Sequence, residues 1–188
     1  MSPLLATETS IIVEKLNALI QNIEPPSPFE LAQLDRDIDR LANADIVASQ
    51  CFRGVYYALQ GDLKNVGKWF DMAINITPSD PFVYLNYAVA LSYLREYEQA
   101  TKMALKGVSM DSSENAIYKL LLCAYYADDL AILDEWLPKY EKLTGEPHQV
   151  AAWLQEDAED EAELPAIIEE ARNSEPIPWE RVKEELGL

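Results

Sequence analysis

The side chains able to do chemistry are few and scattered. The chain has one histidine, His148, beside Pro147, and two cysteines, Cys51 and Cys123, each in an apolar stretch of helical character. A metal site needs such residues clustered at ligand spacing, and these three are not. Both cysteines read as small buried thiols rather than a disulfide, and His148 reads as a surface or capping residue. Adjacent carboxylates occur at Asp128-Asp129 and Glu169-Glu170. Acid-base work would require a pocket that separates their pKa values, and no such pocket is signalled. There is no phosphate-binding glycine loop, no nucleophile elbow and no zinc-binding histidine pair. The expectation is a protein that is not an enzyme, with no cofactor and no metal.

Composition narrows the classes further. Of 188 residues, 33 are acidic and 15 basic, a formal charge of -18, while 49% are apolar. That apolar share is too high for a disordered acidic chain, and the length suits one globular core. Phosphate backbones repel so acidic a protein, so direct nucleic-acid binding is not expected. The longest apolar run, Leu120 to Ala127, is too short to cross a bilayer. No base precedes Lys15, so no secretory signal is visible. A soluble, cytoplasmic protein is expected.

The elements that must position any functional surface are helices. Ile12, Leu16, Leu19 and Ile23 form a stripe over residues 10 to 23 behind a Ser10 cap, stopped by Glu24-Pro25-Pro26. Ser27-Pro28-Phe29-Glu30 has capping-box spacing with proline at the first helical position, and Leu31, Leu34, Ile38 and Leu41 follow. Period-two alternation is nowhere sustained, so the chain is expected to be all-α. From about residue 45 the helices repeat. Residues 47 to 80 place Gly54 at a small position, Tyr57 three later, Gly61-Asp62 at a turn, Phe70 and Ala73 on a second helix, and Pro78 at its end. Residues 81 to 114 repeat this with Tyr84, Tyr87, Ala88 and Leu91, then Ala100 and Gly107. A third unit, 115 to 145, needs a one-residue slip that sets Cys123 at the small position and Tyr126 at the aromatic one. Its turn is Asp128-Asp129, and Pro138 should kink or shorten its second helix.

This pattern resembles the tetratricopeptide repeat family over roughly residues 45–145. The resemblance implies a right-handed superhelical solenoid of antiparallel hairpins with a concave ligand groove. It implies groove positions Ala48, Cys51, Val55, Ala58 and Leu59, then Phe82, Leu85, Val89, Ser92 and Tyr93, with Asn86 beside them. The expected groove is apolar and aromatic, with Cys51, Val55, Phe82, Leu85, Asn86, Val89 and Tyr93 as candidate partner contacts. The same residues would equally serve as a face covered by the chain's own N-terminal helices or tail. Relatives that hold C-terminal carboxylates place lysine, arginine and asparagine there; at these positions only Asn86 matches, so that role is not implied.

The composition shifts after Gly145. Residues 147 to 155 read as one more helix, Glu156 to Glu163 as an acidic stretch, and Pro165 as the start of a short helix. Domains are therefore expected at 1–145 (N-terminal helices 10–44, repeats 45–145) and 146–188, an acidic extension. That extension holds 13 acids and 3 bases, against 20 and 12 in the preceding 145 residues. It ends Ile177-Pro178-Trp179-Glu180-Arg181-Val182-Lys183-Glu184-Glu185-Leu186-Gly187-Leu188, with Trp179, Val182 and Leu186 on one helical face. This segment resembles the C-terminal tail of RelB-like bacterial antitoxins, which implies neutralisation of a basic toxin by the tail. The same Trp179 could instead cap the last repeat.

The expected function is thus a protein-interaction module with a basic protein partner, antitoxin-like in its sharpest form. Two alternatives stand beside it. One is a chaperone resembling those of type III secretion, holding an extended segment of a secreted substrate. The other is an acidic mimic of nucleic acid. Self-association is left open.

Overall fold

The structure, a computed structural model, describes residues 3–22, 24–173 and 183. Nine helices and no strand occur among the described residues, so the chain is all-α. It divides into two units, Met1–His148 and Gln149–Leu188.

In the first unit, α1 (Pro3–Gln21) and α2 (Pro28–Leu41) precede three helix pairs. These are α3 (Ile46–Ala58) with α4 (Leu63–Ile76), α5 (Pro81–Tyr93) with α6 (Tyr97–Met110), and α7 (Glu114–Tyr126) with α8 (Leu130–Thr144). Within each pair the helices pack on one another, and α3, α5 and α7 lie side by side. α1 packs on α2 and α3. It begins seven residues before the expected Ser10 cap, because Leu4, Leu5 and Ala6 are strong helix formers and proline is tolerated in a first turn. Ile12, Leu16 and Leu19 are buried as the stripe requires.

Helix starts follow local chemistry. The Ser27 hydroxyl accepts from the Glu30 amide at 3.3 Å, and the Glu30 carboxylate accepts from the Ser27 amide at 2.8 Å, completing the capping box. Asp45, Asp62, Asp80 and Asp129 each accept a backbone N–H of the helix they open, at 2.9, 3.1, 3.0 and 3.2 Å. These carboxylates also sit at positive helix ends. Part of the chain's acidity is therefore used in capping.

The turns carry the repeat. Gly61, Arg95 and Asp128 occupy equivalent left-handed positions, with φ of 75°, 62° and 54°. Each is followed by a residue whose amide reaches back to the preceding helix: Asp62 to Tyr57, Glu96 to Leu91, and Asp129 to Ala124, at 3.0, 3.0 and 2.9 Å. The spacing is thus 34 residues and then 33. The slip in the third unit runs opposite to the one expected, and Leu121 and Ala124, not Cys123 and Tyr126, correspond to Gly54 and Tyr57. Cys123 instead faces α5, its sulfur 3.2 Å from the Ser92 hydroxyl. Left-handed backbone costs a side-chain-bearing residue about 1–2 kcal/mol, less for Asp. Arg95→Gly should therefore stabilise the protein by about 1 kcal/mol, offset in part by glycine's entropy, and Asp128→Gly by less. Thermal denaturation of the two variants checks the ranking.

Pro138 does not shorten α8, which runs on to Gly145 at φ 80°. Buried Leu133 and Tyr140 hold the helix on either side of it. In the second unit, α9 (Gln149–Asn173) is one helix of 25 residues through Pro165, where a break was expected. Its Ala, Gln and Glu content favours helix, and Pro165 removes one hydrogen bond from a long ladder. Among the described residues, no helix is long and apolar enough to cross a membrane.

Candidate functional site

The three first helices present one face to a cleft of about 390 Å³. α3 contributes Phe52 and Val55, α5 contributes Phe82, Leu85, Asn86 and Val89, and α7 contributes Asn115 and Lys119. α1 forms a further wall through Val13, Leu16, Asn17 and Ile20. The N-terminal helix therefore covers part of the face and leaves the rest open.

Of the groove residues expected from sequence, Val55, Phe82, Leu85, Asn86 and Val89 meet at this cleft. Cys51 and Tyr93 do not line it. Cys51 is fully buried in the core, and burial, reinforced by Asp80 and Asp45, pushes its thiol far above the ordinary range. Tyr93 packs half-buried against that same core. Leu85 is committed inward as well: a Cβ at Gly107 on α6 would lie 2.8 Å from its Cδ2. Phe82 packs edge-on against Phe52, with centroids 6.0 Å apart. Trp179, Val182 and Leu186 lie outside the described residues.

The cleft is not purely apolar and aromatic, as had been expected. Asn17, Asn86, Asn115 and Lys119 bring amides and a cation to it. The Asn86 amide nitrogen donates to the Phe82 carbonyl at 2.8 Å, and its oxygen accepts no hydrogen bond among the described residues. Lys119 is partly buried, and loss of hydration holds its ammonium below the usual lysine range, with nearby Cys123 opposing weakly. No hydrogen bond or ion pair joins Lys119 to another described residue. The signal for it was present in sequence: stepping from Phe82 and Asn86 by the 33-residue spacing of the turns lands on Asn115 and Lys119.

His148 is not a surface residue. It is buried between Tyr118 and Tyr140, with ring centroids 4.6 and 4.8 Å away, and burial lowers its pKa. With this contact His148 belongs to the first unit. Among the described residues, no group of three or more His, Cys, Asp or Glu could hold a metal ion.

No protein-family model matches the chain. It is similar to an uncharacterized protein of Haemophilus influenzae, with 26% identity over 93 residues, or 48% of this chain. The match takes in 52% of that protein, so the chain spans about half the length of the relative it resembles.

Proposed function

We propose that this chain is a non-enzymatic protein-binding module of tetratricopeptide type, whose cleft takes an extended segment of a protein partner. The observation that carries the reading is the cleft itself, which is lined from three successive first helices by apolar side chains and side-chain amides. Side-chain amides can pair with a strand's backbone, while Phe82 and Val89 offer apolar contact, the usual division between orientation and affinity. The net charge of -18 favours a basic partner and speeds its approach.

Two forms of the reading differ in where the partner sits. A chaperone would hold its substrate in the cleft, and the cleft favours that form. An antitoxin-like neutraliser would rely on Trp179, Val182 and Leu186 in the tail. Val89→Glu puts a charge into the cleft without touching the tail, and truncation at Ser174 does the reverse. The assay is binding to the product of the neighbouring gene, with circular dichroism to verify that each variant folds. Val89→Glu should lower affinity at least tenfold and truncation should leave it unchanged. Loss of binding on truncation alone would move the site to the tail and sink the cleft as the docking surface.

A further inference from the structure

The second helices of the three pairs carry a pattern that the cleft does not use. With the turns offset by 34 and then 33 residues, Lys68 on α4, Lys102 on α6 and Glu135 on α8 hold equivalent positions. One helical turn further along lie Met72, Lys106 and Lys139, and one turn beyond them Ile76, Met110 and Leu143. All nine side chains are exposed. Each second helix packs on its own first helix, and the first helices lie side by side, so these positions form three rows across the outer face. The last row is apolar: Ile76, Met110 and Leu143 are 50%, 38% and 54% exposed. The other two rows are mainly cationic. α4 and α6 together hold four lysines against two acids, the reverse of the chain's 15 bases against 33 acids. Glu135 pairs with Lys139, whereas Lys68, Lys102 and Lys106 make no ion pair among the described residues. A face of this kind, apolar along one edge and positive along the other, fits an amphipathic helix with acids beside its apolar stripe.

We infer that this outer face is a self-association surface and that it receives α9 of a second copy of the chain. α9 has the required chemistry. Its stretch Glu156 to Glu163 holds six acids and no base, and residues 155–166 are all exposed. Leu164 and Ile168, 52% and 42% exposed, lie one turn apart on one face, with Asp160 and Glu161 in the turn before them. A helix exposed all round over three turns draws little support from packing, and a partner surface would supply it. The dimensions agree. A 25-residue helix is about 37 Å long, and three helices spaced by about 8–10 Å put the outer two axes about 20 Å apart. One copy leaves both surfaces exposed, so two copies satisfy each surface twice in a reciprocal pair. The net charge of -18 opposes the approach, but at 0.15 M salt the Debye length of about 8 Å screens that long-range repulsion more than the contacts themselves.

Sedimentation equilibrium of the full chain at 0.15 M salt tests this, with two charge-reversed variants. One carries Lys68→Glu and Lys102→Glu on the outer face; the other carries Asp160→Lys and Glu161→Lys on α9. The wild type should dimerise, and each variant alone should do so at least tenfold more weakly, with circular dichroism verifying that it folds. Mixing the two variants should restore association, because the reversed face of one then meets the reversed helix of the other while the second contact keeps its native charges. Met110→Ser should weaken the dimer as well, and Val89→Glu in the cleft should not, which separates this surface from the cleft reading. A wild-type chain that stays monomeric into the millimolar range overturns the inference. So does a dimer that ignores both reversals. A monomer whose melting temperature falls with either pair of reversals and recovers only when both are placed in one chain would assign the face to the chain's own α9 and overturn the second copy.

Discussion

Phe70→Ala should lower the unfolding free energy by about 3–5 kcal/mol, and it should reverse the effect of a second substitution packed directly against that ring, Gly54→Ala. Phe70 is fully buried on α4 and stacks on Tyr87 of α5, with ring centroids 4.5 Å apart and planes 7° from parallel. Its other edge lies over Gly54 of α3. A Cβ at Gly54 would fall 2.4 Å from Phe70 Cε2 and 2.7 Å from Cδ2. The ring is also held by its stack on Tyr87. In an unconstrained helix interior, Gly→Ala gains about 1 kcal/mol. Here overpacking costs about 1–3 kcal/mol, so Gly54→Ala alone should be destabilising. Placed on Phe70→Ala, the same change should become stabilising by about 1 kcal/mol, because only the helix propensity is left. Chemical denaturation of the four proteins measures the coupling. If Gly54→Ala stabilises the otherwise wild-type chain, the close approach of α3 and α4 described here is wrong.

That contact shows why much of the architecture was legible in advance. Gly54 and Phe70 were singled out by type and spacing, and small-against-large packing leaves little choice about which faces meet. Helix starts were legible for a similar reason, since Ser27 with Glu30 and Asp80 before Pro81 satisfy amides within three residues. What could not be read was the step between the second and third pairs. Left-handed backbone is written plainly by Gly61, but Arg95 and Asp128 adopt it under tertiary constraint, and neither residue advertises the fact. Without that marker the third pair was set in the wrong register, which hid Asn115 and Lys119 from the cleft. His148 was misread because its burial depends on Tyr118 and Tyr140, aromatic residues on two other helices. The long α9 was missed because Pro165 is a strong stop signal locally and a weak one inside an otherwise favourable helix.

Arg53→Ala is expected to destabilise by about 2 kcal/mol, with the loss concentrated where α2 meets α3. The guanidinium is 11% exposed and makes ion pairs with Asp35 and Asp39 of α2. It also lies over the rings of Tyr56 on α3 and Trp69 on α4, 5.6 and 5.8 Å from their centroids. Its two carboxylate partners are 41% and 70% exposed, so each pair is weakened by solvent, and Asp35→Asn or Asp39→Asn should cost under about 1 kcal/mol. The larger effect of losing Arg53 comes from three things lost together: the buried stem, the aromatic contacts and both anchors on α2. Arg53→Met keeps the stem and should recover about half of the stability. Arg53→Lys should recover less than its charge suggests, because one ammonium cannot bridge two carboxylates as a planar fork does. High salt should abolish the small effects of the aspartate changes and leave most of the Arg53→Ala loss. The consequence reaches the cleft. α1 is carried on α2 as well as α3, and the Ser49 hydroxyl donating to the Ile38 carbonyl at 3.0 Å is a buried polar link between α2 and α3. With Arg53 gone, amide exchange in α1 and α2 should accelerate before that in α5 to α7, and the cleft should lose the wall that holds Asn17 and Ile20. Uniform acceleration across all these helices would instead mean that Arg53 acts on the core as a whole and does not set the position of the N-terminal wall.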